Sequence, residues 1–219
     1  MGAEIDLLAD YPRPSRPVEE RIAARTPDDR RLARRFGREF FDGERRHGYG
    51  GYSYHPRFWQ PVVPRFVERY DLKAGDRVLD IGCAKGFFLF DLAAAVPGLE
   101  VVGVDISPYA VDSAKPELRS RLAVADARSL PFADRSFDLV VSLVTVHNLG
   151  GAELDRALGE IERVGRGQAF VTVDAWRTDE ERRRIEGWAL TAETILHVDT
   201  WRRRFAAAGY SGDYFWFMP

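Results

Sequence analysis

The sequence predicts an α/β fold, a doubly wound and mostly parallel sheet with helices on both faces and a helical cap on its amino-terminal side. Three observations predict it. Short apolar or β-branched runs alternate with stretches of helical periodicity from Arg77 onward. One run, 137–146, is apolar without alternation, as a strand covered on both faces has to be. A strand-like run ending at Ile81 then passes through Gly82-Cys-Ala-Lys-Gly86 directly into a helical pattern, which is the form of a ligand-binding turn.

Residues 1–56 read as the cap, with prolines at 12, 14 and 17, a charged stretch over 27–46, and then His47-Gly-Tyr-Gly-Gly-Tyr-Ser-Tyr-His55. Leu32, Phe36, Phe40 and Phe41 recur near every fourth residue, so the spacing predicts a helix over 28–41 with one apolar face, ended by Gly43. Trp59, Val62, Val63, Phe66, Val67 and Tyr70 predict a helix over 57–70, with Pro61 and Pro64 marking irregularity near its start. A strand over 77–81, a helix over 86–96 and strands over 101–104 and 122–124 follow. The two-faced strand 137–146 leads to a helix over 152–164 and a strand over 169–173. The remainder predicts helices over 179–196 and 199–208, the second closed by Gly209, and an aromatic strand over 213–217.

The composition fits one globular domain of residues 57–219 with the cap added: 219 residues, 45% hydrophobic and 30% charged. Lys and Arg total 32 against 34 for Asp and Glu, so a net charge of -2 supplies no overall attraction to nucleic acid or to anionic lipid. The single cysteine, Cys83, rules out an intramolecular disulfide, and no signal peptide opens the chain. No apolar run approaches the roughly 20 residues that cross a bilayer. These features predict a cytoplasmic protein whose partner is a small molecule, with no nucleic acid, no membrane and no metal-ligand spacing.

The glycine turn discriminates between nucleotide types. A dinucleotide fingerprint needs glycine at 82, 84 and 87, and the chain offers Gly82, Ala84 and Phe87. A phosphate-cradling loop needs Ser or Thr after its lysine, and Lys85 is followed by Gly86. The shorter pattern Asp-x-Gly-x-Gly-x-Gly is met by Asp80, Gly82 and Gly86, with Ala84 adding one methyl. On these residues the chain resembles the class I S-adenosylmethionine-dependent methyltransferases over about 57–209, which implies a Rossmann-like sheet and S-adenosyl-L-methionine as cofactor. The resemblance implies that Asp105, with Ile106 beside it, meets the ribose, because a carboxylate offers two acceptor oxygens to a diol. It implies that Asp126 and Ala127 meet the adenine, that Asp80 lies near the methionine ammonium group, and that Gly82, Ala84, Gly86 and Ser142 line the same pocket.

The same resemblance places the methyl acceptor beyond His147-Asn148. His147 is the candidate general base and Asp174 its neighbour, because imidazole titrates near neutrality. Arg46, Tyr49, Tyr52, Tyr54, Asn148 and His197 are the candidate acceptor contacts, and the Gly-Tyr segment combines mobile backbone with rigid aromatic faces, a composition suited to a lid. Lys85 has two open readings, a contact to an anionic group of a ligand or an exposed charge. The Asn/Asp-Pro-Pro-aromatic signature of amino-methyltransferases is absent, which points away from nucleic-acid bases and protein amides. The Gly-Tyr segment, the turn and 196–201 resemble a small bacterial methyltransferase subgroup tied to polysaccharide, nucleotide-sugar or antibiotic assembly. Together these predict methylation of oxygen, as hydroxyl or carboxylate, on a small polar metabolite, with methylation of nitrogen or carbon, or a non-catalytic cofactor-binding module, as the alternatives. The family sheet ends in an antiparallel hairpin, of which this chain shows one strand, so the edge is expected to be covered by the N-terminal segment or by a second copy in a homodimer.

Overall fold

A computed structural model describes residues 2–12 and 18–219; Pro14 and Pro17 fall outside the described residues. The elements run α1 (Val18–Ala23), α2 (Pro27–Ala33), α3 (Arg38–Asp42), α4 (Pro56–Trp59), α5 (Val63–Tyr70), β1 (Arg77–Ile81), α6 (Phe87–Ala95), β2 (Glu100–Asp105), α7 (Pro108–Asp112) and β3 (Leu122–Val124). They continue with β4 (Leu139–Leu143), α8 (Gly151–Val164), β5 (Ala169–Trp176), α9 (Asp179–Trp188), β6 (Leu196–His197), α10 (Val198–Ala207) and β7 (Asp213–Phe217).

The sheet has the order β3-β2-β1-β4-β5, with β7 and the short β6 both paired to β5, and every strand pair is parallel. Alternation along β1 divides the interior. Val78 packs with Phe66, Phe88, Leu92 and Val141 on the face covered by α5 and α6, whereas Leu79 and Ile81 pack with Leu154, Leu158, Trp201 and Phe205 on the face covered by α8 and α10. The chain reverses strand order between β1 and β4, and in such sheets the crevice at the carboxyl ends of these two strands is the ligand position.

Several predicted elements are shorter than their periodicity suggests, for local reasons. The predicted helix over 28–41 is broken where Phe36 takes a left-handed backbone, φ 48, leaving α2 with a Thr26–Asp29 capping box and a separate α3. The predicted helix over 57–70 divides into α4 and α5 at Pro61, and Pro64 sits in the first turn of α5, where a proline is tolerated. α9 stops at Trp188, eight residues before the predicted end. There the cap's arginines take its last carbonyls: Arg30 donates to Glu186 O at 3.2 Å, and Arg25 to Gly187 O at 3.0 Å and to Trp188 O. The chain beyond is drawn out, with the amides of Glu193 and Thr194 donating to His147 O at 3.0 and 2.9 Å, and it ends in β6.

The closing hairpin is replaced by a parallel β7. Its outer edge is met by the start of the chain, where Ile5 N donates to Tyr214 O at 3.0 Å and Tyr214 N to Ala3 O at 3.0 Å. The N-terminal segment thus covers the start of that edge, as one of the two expectations had it. No helix among the described residues is long and apolar enough to cross a membrane.

Candidate active site

The turn after β1 is built from alternating left-handed residues, Gly82 at φ 79, Ala84 at φ 51 and Gly86 at φ 75. Ala84 therefore adopts the backbone that glycine holds in the Gly-x-Gly-x-Gly pattern, at a cost of about 1 kcal/mol. Gly82 is needed for a second reason: a Cβ there would lie 2.1 Å from Thr145 Oγ1 and 2.3 Å from its Cγ2. Thr145 is brought that close by Val144, a β-branched residue at φ 54 directly after β4. Such an outlier is tolerated only where the surroundings over-determine it, and strain of this kind concentrates at functional sites. The predicted strand over 137–146 ends early because the chain makes this bend and then a short 3-10 turn, Val146–Asn148.

Two acids face this turn. Asp105 is buried, its Oδ2 accepting from Ala84 N and its Oδ1 from Ser107 N, both at 2.8 Å, so each oxygen keeps a second acceptor position. Asp80 is 3% exposed, and its Oδ1 is buried with no hydrogen-bond partner in the structure. Burial, with the Asp105 carboxylate as a second cause, pushes the Asp80 carboxyl up to about 8. Beside these acids the large apolar side chains left exposed are Ile106, Val124 and Tyr49, at 52%, 50% and 45%. Asp105 and Val124 are register partners at the carboxyl ends of β2 and β3, so two of the three lie at the mouth of the same crevice. An unpartnered buried carboxylate next to uncovered apolar surface is the signature of a ligand site.

The cap closes on this crevice. Tyr52 stacks on Phe87 at 5.0 Å, and Tyr49 meets Tyr52 at 4.5 Å. The Tyr52 hydroxyl is raised well above the usual phenol range, chiefly by burial, with the Asp80 carboxylate contributing. Lys85 follows neither of its two readings. It is 7% exposed, and its Nζ donates to Asp42 Oδ2 at 2.6 Å.

The other predicted site residues have these surroundings. His147 is 2% exposed, its Nδ1 accepts from Asp174 N at 2.8 Å, and burial lowers its pKa to about 3. The neutral ring therefore carries its proton on Nε2, and the lone pair a base would use is already taken. Asp174 is buried with it, 3.6 Å from Nδ1, and its carbonyl accepts from Trp201 Nε1, so this pair fixes the end of β5. Ser142 is wholly buried and one residue out of phase with Val141, the register partner of Asp80, so it faces the opposite side of the sheet from Asp80.

Asp126 is taken by Arg128, whose Nε, Nη2 and backbone N all donate to it at 2.5 to 2.9 Å, which fills the acceptor positions an adenine amino group would need. Ala127, between them, packs half-buried against the core. Tyr54 donates to buried Asp91 at 2.6 Å, away from the crevice. Arg46 pairs with Asp29 and Glu44, and His197 caps α10 by accepting from Asp199 N at 3.2 Å. Asn148 lies in the turn after β4 with a buried, unpartnered Oδ1. Sequence reasoning missed Asp42, Thr145 and Arg128; only Arg128, two residues from an acid, gave a local signal.

Residues 79–173, from β1 to β5, match the family profile described as a methyltransferase domain. Over that segment the chain is similar to methyltransferase domains. It is similar to a demethylmenaquinone methyltransferase of Roseiflexus sp. (strain RS-1), 40% identical over 98 residues that make up 43% of this chain and 40% of the relative. It is also similar to the aklanonic acid methyltransferase DauC of Streptomyces sp. (strain C5), 38% identical over 96 residues, 41% of this chain and 44% of the relative. The chain thus spans less than half the length of these curated relatives. Among solved structures, the [4+2]-cyclase SpnF shares the fold with a TM-score of 0.56 and 26% identity, over 68% of this chain and 56% of that one.

The similarity to methyltransferase domains implies S-adenosylmethionine as the cofactor, and the residues present fit it. The unpartnered Asp80 Oδ1 suits an ammonium group, the spare acceptor positions of Asp105 suit a ribose diol, and exposed Ile106 and Val124 suit the face of a purine. The purine amino group has no free carboxylate at Asp126.

Proposed function

We propose that this chain transfers a methyl group from S-adenosylmethionine to oxygen on a small polar metabolite, and that the acceptor is a carboxylate or another oxygen acid ionised on arrival. The observation that carries the reading is the buried Asp80 carboxyl, unpartnered at Oδ1 and set beside Asp105 across a left-handed turn. The cofactor supplies an electrophilic methyl. What the protein has to supply is alignment, exclusion of water and, for some acceptors, removal of a proton.

Asp80 and Asp105 bind and orient the two polar ends of the cofactor, and Tyr49 and Tyr52 cover the crevice with neutral hydroxyls and aromatic faces. Deprotonation of an acceptor is the function for which no described residue of this site is placed as a free base. His147 holds its proton on Nε2 and is buried behind the end of β4, so it orients the Asn148 turn instead. An acceptor that is already anionic needs no base, only donors, which favours a carboxylate over a neutral alcohol. The relative named for aklanonic acid supports an acid acceptor, and the likeness of the Gly-Tyr segment to enzymes of antibiotic and nucleotide-sugar assembly supports a biosynthetic one.

The test is transfer of isotopically labelled methyl to paired acceptors sharing one skeleton, one bearing a carboxylate and one the corresponding alcohol. The reading expects label in a base-labile methyl ester from the acid and little from the alcohol. Label only in ethers, amines or carbon products would overturn the ionised-oxygen reading. Binding without turnover on any acceptor would overturn methyl transfer itself, a real outcome on a fold that also carries a cyclase.

A further inference from the structure

One carboxylate draws three separate elements together at the edge of the crevice. Asp42, the last residue of α3, accepts on Oδ2 from Lys85 Nζ and from Tyr109 Oη, each at 2.6 Å, and on Oδ1 from Tyr52 N at 2.8 Å. Lys85 belongs to the glycine turn, Tyr109 to α7 directly after the Asp105 strand, and Tyr52 to the cap. The neighbouring ties are of the same kind: Ser107, whose amide holds Asp105, donates its hydroxyl to Phe36 O, and Phe41 stacks on Tyr109 at 6.3 Å. A lysine inside a glycine turn usually reaches a ligand or solvent, and here its ammonium group is spent on the cap.

We propose that Asp42 is a positioning residue for the cofactor site: through Lys85 and Tyr52 it locks the cap to the glycine turn, so that closure of the tyrosine wall and retention of the cofactor are coupled. This rests on the reading of the crevice as a cofactor site. The charges balance, one buried ammonium against one carboxylate that also takes two neutral donors, which is the condition under which a buried ion pair is worth keeping. Coupling of two such equilibria typically changes ligand affinity by about 5- to 150-fold.

The experiment uses the full chain and S-adenosylhomocysteine as the probe. Lys85→Met removes the ammonium, Lys85→Arg retains a cation, and Arg69→Met breaks a distant ion pair to Asp213 as a control. Amide hydrogen exchange is read over 47–54 without ligand, and the probe's affinity and release rate by titration and stopped flow. Lys85→Met is expected to accelerate exchange across 47–54 and to weaken the probe by about tenfold, mainly through faster release, while Lys85→Arg restores most of both. Arg69→Met is expected to move neither. If Lys85→Met does not fold, Tyr109→Phe, which deletes one donor to the same carboxylate at nearly constant volume, is read in the same two ways.

Faster exchange with unchanged affinity would overturn the coupling, and unchanged exchange would overturn the lock. A wild-type protein that binds no probe, while Lys85→Met still loosens 47–54, would refute the cofactor reading and the proposed coupling with it, leaving the lock as a purely structural contact.

Discussion

Replacing Asp80 by Asn should make the protein more stable and useless to its cofactor. Asp80 is 3% exposed and lacks a partner on Oδ1, so the folded chain pays for every ionised molecule. With the carboxyl raised from 3.8 to about 8, the unfolded chain loses this proton near pH 4 and the folded chain only near pH 8. Stability is therefore lost progressively as pH rises through that window, and the loss is complete above it. A shift of this size corresponds to roughly 6 kcal/mol at most, and relaxation and water entry on ionisation reduce it to about 2–4 kcal/mol. Asp80→Asn should thus leave stability nearly unchanged at pH 4 and raise it by about 2–4 kcal/mol at pH 8.5, or about 4–16 °C in Tm for a chain of this size. The assay is thermal unfolding of both proteins from pH 4 to 9 without ligand. Because the ammonium group of a bound ligand needs the ionised carboxylate, affinity for S-adenosylhomocysteine should rise with pH toward 8 in the wild type and be both weak and flat in Asp80→Asn. A variant less stable than wild type at pH 8.5, or one binding the ligand with unchanged affinity, would refute the reasoning.

Gly82→Ala should destabilise by about 2–5 kcal/mol, because its Cβ meets Thr145 and its φ of 79 disfavours any side chain; adding Thr145→Gly should recover the packing part and leave the backbone part, which a double-mutant cycle in urea resolves. His147→Asn, which keeps an acceptor for Asp174 N, should retain turnover within about threefold, whereas His147→Leu should cost about 1–3 kcal/mol of stability by orphaning that amide. Because the ring stays neutral down to about pH 3, the kcat profile should show no limb near 6.5, and such a limb lost in His147→Asn would restore the general base. Tyr54→Phe should lower stability by about 1–3 kcal/mol through Asp91 while leaving acceptor KM unchanged, measured by denaturation and initial rates.

The sheet was legible because its signals are local. The runs at 77–81, 169–173 and 213–217 are apolar enough to be strands wherever they sit, and the turn between Ile81 and Phe87 announces itself by composition. The end of α9 was hidden, since what stops it is a set of arginines more than 150 residues away in sequence. Asp80 and Asp105 stand out in the sequence by their place at the carboxyl ends of strands, and the structure adds their burial and spare acceptor positions. The candidate catalytic and acceptor residues were less legible. Residue type suggested a base at 147 and a phenol at 54, but whether an imidazole or a hydroxyl is available depends on what its lone pairs and proton already hold. Asp42 and Lys85 lie 43 residues apart, and nothing short of the folded chain shows that they meet.

The most direct test of the central claim is calorimetric titration of wild type and Asp105→Ala with S-adenosylmethionine, S-adenosylhomocysteine and NAD. The account predicts micromolar binding of the two sulfur ligands to wild type, none of NAD, and a loss of about 10²-fold or more in Asp105→Ala as two charge-assisted hydrogen bonds go. Binding of NAD in place of the sulfur ligands, or equal affinity in Asp105→Ala, would contradict it.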